Sequence, residues 1–196
     1  MSVILAVCGG AFCAMVSDGR MVEEPDRVED LPAAKVVTDD LPKVRKLNNN
    51  VCVGFAGDTL AAVQIVNAVD EYQPKYLTME KILKILQQKA RTVDCKPVGV
   101  RLLVGGRNRK GEFQLVSMGS AQNYEFQVQP ARPDAYLIEG ACSHTPIEPF
   151  LEQYVKPQAA GWRSLDDVAA SLDGCIRAIA GQDKTVNTKL FRQLIL

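Results

Sequence analysis

The sequence has no excess of charge of either sign: lysine plus arginine number 23, and aspartate plus glutamate number 23. A balanced chain offers no net field to recruit nucleic acid or an anionic membrane surface, so neither partner is expected. A leading segment of the export or membrane type is not expected. MSVILAVCGGAF carries no basic residue ahead of its apolar run, and Gly9-Gly10 interrupts that run well short of the ~20 residues a span needs. A cytoplasmic setting is expected. No Cys-x-x-Cys spacing occurs among Cys8, Cys13, Cys52, Cys95, Cys142 and Cys175, which excludes the usual zinc and small disulfide frameworks and predicts reduced, mostly buried thiols. With a single histidine, His144, the one thiol–imidazole candidate is Cys142-Ser143-His144, and neighbours on a turn need not face each other. Neither an internal repeat nor a low-complexity linker divides the chain. Residues 1–196 are therefore expected to form one domain, large enough to bury roughly 70% of the surface of the unfolded chain, with no cofactor or metal.

What the sequence does have is strands that are apolar on both faces. Val3 to Cys8 and Ala11 to Val16 flank Gly9-Gly10, which predicts a tight hairpin pairing Ser2 with Ser17, beside Asp18. Residues 21 to 42 hold three prolines and seven acidic residues and read as a surface excursion with at most a short strand in AKVVTD. KVRKL, NNN and VCVGFAG then give strand, turn and strand. Asp58 or Thr59 caps a helix to about Tyr72, and Thr78 opens another with Ile82, Leu83, Leu86 and Ala90 on one face. Four strand-like stretches follow: VGVRLLVGG, EFQLVSM, YEFQVQ and AYLIEG. Thr145 to Glu148 reads as a capping box opening a helix to about Val155, and Ser164 to Ala180 keeps a 3.6 period with Ser164 and Asp167 as a cap pair. Trp162 reads as a packing residue between these last helices, and KLFRQLIL as a closing strand. Doubly apolar strands and two separate helix pairs predict two stacked sheets, each covered by a helix pair.

Three stretches in this order resemble the proteasome β subunits and the bacterial heat-shock-locus V peptidase, members of the N-terminal-nucleophile (Ntn) hydrolases. SVILAVCGGAFCAMVSDG is similar to the family's opening hairpin, LPKVRKLNNNVCVGFAGDT to its lysine-bearing strand, turn and glycine-containing strand, and GVRLLVGG to its third long strand. The resemblance implies an α+β, four-layer αββα sandwich and places four residues. Ser2 falls on the nucleophile position once Met1 is removed, Asp18 on the acidic position, Lys43 on the catalytic lysine, and Gly54 on the residue whose N–H lines the oxyanion hole. It further implies a homo-oligomeric ring, a peptide or protein substrate and an ATP-dependent unfoldase as partner.

The residue types suit one another chemically. A free α-amine has an unperturbed pKa of about 7.7 to 8.0, so Ser2 would supply both nucleophile and base. Lys43 would hold the hydroxyl, and Asp18 would keep that ammonium from being an uncompensated buried charge. A retained Met1 would turn the amine into a non-basic amide. Two other readings therefore stay open: a non-catalytic, proteasome-like structural subunit that keeps Met1, and a small-molecule amidohydrolase. Departures from the family are visible. Ala141 stands at its serine position, with Ser143 as candidate substitute, and Asp183 is the candidate for its later acid. The stretch from Asp58 to Tyr72, apolar at Leu60, Ala61, Ala62, Val63, Ile65, Val66, Ala68 and Val69, is the expected assembly surface.

Overall fold

The structure, a computed structural model, describes residues 2–23, 28–142 and 145–196, without the side chains of residues 28, 31 and 32. Met1, Ser143 and His144 lie outside the described residues, and with them the methionine question, the substitute serine and the thiol–imidazole pairing. The strands are β1 (Val3–Cys8), β2 (Cys13–Asp18), β3 (Met21–Val22), β4 (Val36–Thr38), β5 (Val44–Asn48), β6 (Val51–Gly57), β7 (Val100–Arg107), β8 (Phe113–Gly119), β9 (Gln127–Pro130), β10 (Leu137–Cys142) and β11 (Leu190–Ile195). They form a sheet of order β10-β1-β2-β11, one of order β5-β6-β7-β8-β9, and the small pair β3-β4. The main helices are α1 (Thr59–Asn67), α2 (Met79–Ala90), α3 (Glu148–Phe150, a π turn over Leu151–Val155, then Lys156–Ala159) and α4 (Leu165–Ala180). Among the described residues, no helix is long and apolar enough to cross a membrane.

The double apolarity of β1 and β2 has a direct cause, since each face meets a different core. Ile4, Ala6, Cys13 and Met15 pack with Cys52, Leu103 and Leu115 of the five-stranded sheet. Val3, Leu5, Val7 and Val16 pack instead with Val168, Leu172, Ile176 and Ile179 of α4. A third cluster joins Val51, Val53, Leu102 and Val104 to Ile65 of α1 and to Ile82 and Leu86 of α2. Each such Leu, Ile or Val removed from water contributes about 1.5–3 kcal/mol.

Several expectations need correction. Ile4 faces Ser17 and Cys8 faces Cys13, so the opening hairpin is displaced by two residues from the expected pairing. Gly9 N–H donates to Phe12 O at 2.9 Å, which centres the turn on Gly10-Ala11. A two-residue slip leaves every side chain on its own face, so the apolar pattern is blind to it. The capping box at Thr145 is absent: Thr145 Oγ1 donates to Asp183 Oδ2 at 2.6 Å, and the helix starts at Glu148 with no side-chain cap. The π turn precedes Pro157, whose missing N–H and bulky ring are incompatible with regular α geometry four residues back. The alternating YEFQVQ yields only the short β9, because Asn123 and Tyr124 adopt φ of 49° and 57°. The stretch after Asp58 is α-helical only to Asn67 and ends in a tighter turn before Pro74, which disfavours helix in the residue ahead of it. Most of its apolar residues are covered by their own chain, with Leu60 and Tyr72 left largely exposed.

Other expectations hold. Ser164 and Asp167 form a reciprocal capping box on α4. Trp162 is buried against α4, its Nε1 donating to Ser171 Oγ at 2.8 Å. Five of the six cysteines are buried, none in a disulfide among the described residues, and Cys95 is exposed.

Candidate active site

The register of the opening hairpin determines where the acidic residue acts. Asp18 is the last residue of β2, level with the start of β1, and its Oδ1 accepts from Val3 N–H at 3.0 Å. Its Oδ2 accepts from Arg20 N–H at 2.9 Å and from Asn187 N–H at 3.4 Å. A buried carboxylate needs such donors to offset lost hydration.

Lys43 immediately precedes β5, and its backbone is held from two sides. Its N–H donates to Ser17 Oγ at 3.3 Å, and its carbonyl accepts from Phe55 N–H at 3.0 Å. The side chain lies wholly inside the protein, where Nζ donates to Asp18 Oδ1 at 2.7 Å and to Arg20 O at 2.5 Å. Burial lowers the Lys43 pKa from its usual 10.5, and the Asp18 carboxylate opposes that shift.

Ser2 is fully buried and directly precedes Val3, the residue whose N–H is tied to Asp18. Strand alternation extended back one residue puts its side chain on the face of Ile4, toward the five-stranded sheet. Of the four expected residues, Lys43 and Asp18 are paired directly, and Ser2 adjoins that pair along the chain through Val3, whose N–H is tied to Asp18. The fourth takes a different place. Gly54 lies in the middle of β6, paired with Val44 on one side and Leu103 on the other. Because Phe55 N–H points to Lys43, alternation turns Gly54 N–H toward β7, into the ladder. Its lack of a side chain serves packing instead, since a Cβ there would lie 3.1 Å from Ile4 Cγ2 and 3.3 Å from Val44 Cγ1.

Residues outside the sequence-based site complete its support. Arg20 Nε pairs with Asp39 Oδ1 at 2.5 Å, and that guanidinium, through its hydrogen bond, holds the Asp39 carboxyl below its usual range. Asn187 donates through Nδ2 to Asp39 O at 3.1 Å and accepts from Gly19 N–H at 2.9 Å, clasping three loops around Asp18. Asp183, the candidate later acid, is buried and accepts from Thr145 Oγ1, from Thr185 N–H at 2.9 Å and from Thr185 Oγ1. Its loop reaches Asp18 through Asn187 rather than directly. A lone asparagine in DKTVNTK carries no sequence signal for this bridge. Among the described residues, no group of three or more His, Cys, Asp or Glu side chains is placed to hold a metal ion.

No protein-family model matches the chain, and no curated protein matches it. Solved structures do match. Eukaryotic HslV from Trypanosoma brucei aligns over 98% of both chains, with a TM-score of 0.61 and 15% identity. Anbu, the ancestral β-subunit, from Yersinia bercovieri aligns over 98% of this chain and 80% of its own, with a TM-score of 0.68 and 16% identity. A Gly-1 mutant of Anbu from Hyphomicrobium sp. strain MC1 gives a TM-score of 0.68 at 12% identity, covering 98% of this chain and 80% of that one. The mixed α/β arrangement of sheets and helices described above is thus the fold shared with HslV and Anbu.

Proposed function

We propose that the chain is a proteasome-like Ntn hydrolase that cleaves amide bonds, most simply in peptides, with Ser2 as nucleophile after Met1 is removed. The observation that carries this reading is the buried Lys43–Asp18 pair tied to Val3 N–H, the residue beside Ser2. In this mechanism the α-amine of Ser2 takes the proton from its own Oγ as Oγ attacks the carbonyl carbon. Lys43 stabilises the charge that develops on Oγ, and Asp18 keeps Lys43 in place. The tetrahedral intermediate collapses as the α-ammonium returns the proton to the leaving amine. Water, activated by the same amine, then releases the acyl group and regenerates Ser2.

The oxyanion needs a backbone N–H, worth roughly 3–4 kcal/mol of barrier. Gly54, the sequence-based choice, serves this reading better as the gap that lets Ile4 lie on β6. Gly57 fits the donor role: alternation turns its N–H the same way as that of Phe55, toward the β5 side, at the strand end. Its φ of 103°, and the backbone of Gly99 within 2.1 Å of a Cβ there, restrict the position to glycine.

The proposal includes a single domain over residues 1–196 and a four-layer αββα sandwich, supported by three cores alternating between helices, sheet, sheet and helices. It includes a homo-oligomeric ring in the cytoplasm, fed by an ATP-dependent unfoldase, with exposed Leu60 and Tyr72 as candidate contacts. A second reading, a structural subunit that keeps Met1, is favoured by the complete burial of Ser2. Turnover of a fluorogenic peptide panel by untagged protein of measured intact mass separates the two: activity belongs to the chain that has lost one methionine, and a Met1-retaining, inactive protein supports the second.

A further inference from the structure

Consecutive strands β9 and β10 belong to different sheets, and both are edges. The bridge between Arg132 and Ala135 closes the loop that joins them. Both edges contribute residues to the lining of a cavity of about 260 Å³. The inward faces of the strands change character here. Farther along, β7 and β8 turn Leu103 and Leu115 inward, but at the cavity the same alternation presents Arg101 and Ser117. Gln127 of β9, Gln122 and Glu139 of β10 complete its polar lining.

Two opposite charges therefore line one small space, and among the described residues neither is engaged in an ion pair. Glu139 is half-buried, so an unpaired carboxylate there is costly. The cation in its field, Lys156, is engaged by Glu148 at 2.6 Å and by Glu152 at 2.7 Å, and Glu148 itself repels a charge on Glu139. Burial and that repulsion raise the Glu139 pKa, against a hydrogen bond from Gln129. Arg101, an exposed residue, lines the cavity from the opposite sheet.

The geometry points to a binding site for a zwitterion of α-amino-acid size, with its ammonium on Glu139, its carboxylate on Arg101, and Ser117, Gln122 and Gln127 as neutral hydrogen-bonding partners. The cavity holds about one residue and would be too small for an extended peptide. A charged group at each end of the ligand replaces the missing ion pair with two charge-assisted contacts. Ser2, Lys43 and Asp18 are not among the lining residues, while Ala141, paired with Ile4, is; the proposal uses none of the three and stands whether or not the chain is a hydrolase.

The test is calorimetric titration of the full chain with free L-alanine, L-leucine, L-glutamine and L-arginine. Saturable binding of at least one is expected, and its N-acetyl and carboxamide derivatives should each bind at least about tenfold more weakly, the loss of one charged contact. Arg101→Gln, at an exposed side chain, should abolish the penalty for the carboxamide, and Glu139→Gln the penalty for N-acetylation. Absence of saturable binding up to about 10 mM, a dissociation constant too weak for two charged contacts, would overturn the assignment. So would equal binding of the blocked derivatives, or binding of sodium acetate or methylammonium alone as tight as that of the zwitterion.

Discussion

Lys43 Nζ lies 2.7 Å from Asp18 Oδ1, with both side chains wholly removed from solvent. Asp18 keeps three backbone N–H donors without Lys43. Removing one partner of a buried pair costs about 3–5 kcal/mol when the other is left uncompensated. Lys43→Met leaves Asp18 with its three donors and should therefore destabilise by clearly less than that. Urea denaturation checks this, and a loss of about 3–5 kcal/mol or more in Lys43→Met contradicts the support of Asp18 by those donors.

The same pair sets a pH signature. Burial lowers the Lys43 pKa in the fold, so between that lowered value and 10.5 the unfolded chain binds more protons. Stability should accordingly rise with pH across that interval, and this contribution should be flat below it. Denaturation midpoints of the parent minus those of Lys43→Met isolate the effect. In kcat/KM, the acid limb should report the α-amine of Ser2 and the alkaline limb, falling below 10.5, the loss of charge on Lys43. Lys43→Arg stays protonated and should lose the alkaline limb even where its rate is lower. An unchanged limb rules Lys43 out.

Gly54→Ala probes the reassignment of the oxyanion donor. A methyl group 3.1 Å from Ile4 Cγ2 forces small shifts, costing about 1–3 kcal/mol. Because Gly54 N–H points into the ladder, kcat should fall less than tenfold, well short of the roughly hundredfold or greater loss that follows removal of an oxyanion donor. Steady-state kinetics at a temperature where the variant is fully folded decides this.

Asn187→Ala removes the clasp between Gly19, Asp39 and the loop before β11 while leaving the Asn187 N–H to Asp18. A loss of about 1–2 kcal/mol is expected from these partly exposed hydrogen bonds, with a reduction in kcat/KM but no change in the pH limbs. A variant as stable and active as the parent shows that the clasp does not position Asp18.

The fold was legible in the sequence wherever burial alone decides it. β1 and β2 were readable because two cores leave no polar face, and α4 because its period and its Ser164–Asp167 cap agree. What escaped depends on partners distant in sequence. Thr145 carries the local pattern of a helix cap, but Asp183 takes its hydroxyl. The hairpin pairing slipped by two because both registers bury the same residues. Asp18 and Lys43 were found through a resemblance to quoted motifs. Asn187 and the Arg20 carbonyl were not, because a loop asparagine and a backbone oxygen carry no sequence signature of the carboxylate and ammonium they meet.

The central claim is that Ser2 becomes a nucleophilic N-terminal residue. Its most direct test is the intact mass of untagged protein before and after treatment with a peptidyl β-lactone, followed by peptide mapping, with Ser2→Ala alongside. The account predicts a chain one methionine lighter than the full sequence, a single adduct on the peptide that begins at Ser2, and no adduct on a folded Ser2→Ala protein. A chain that keeps Met1 and takes no label, or a label that persists in Ser2→Ala, contradicts it.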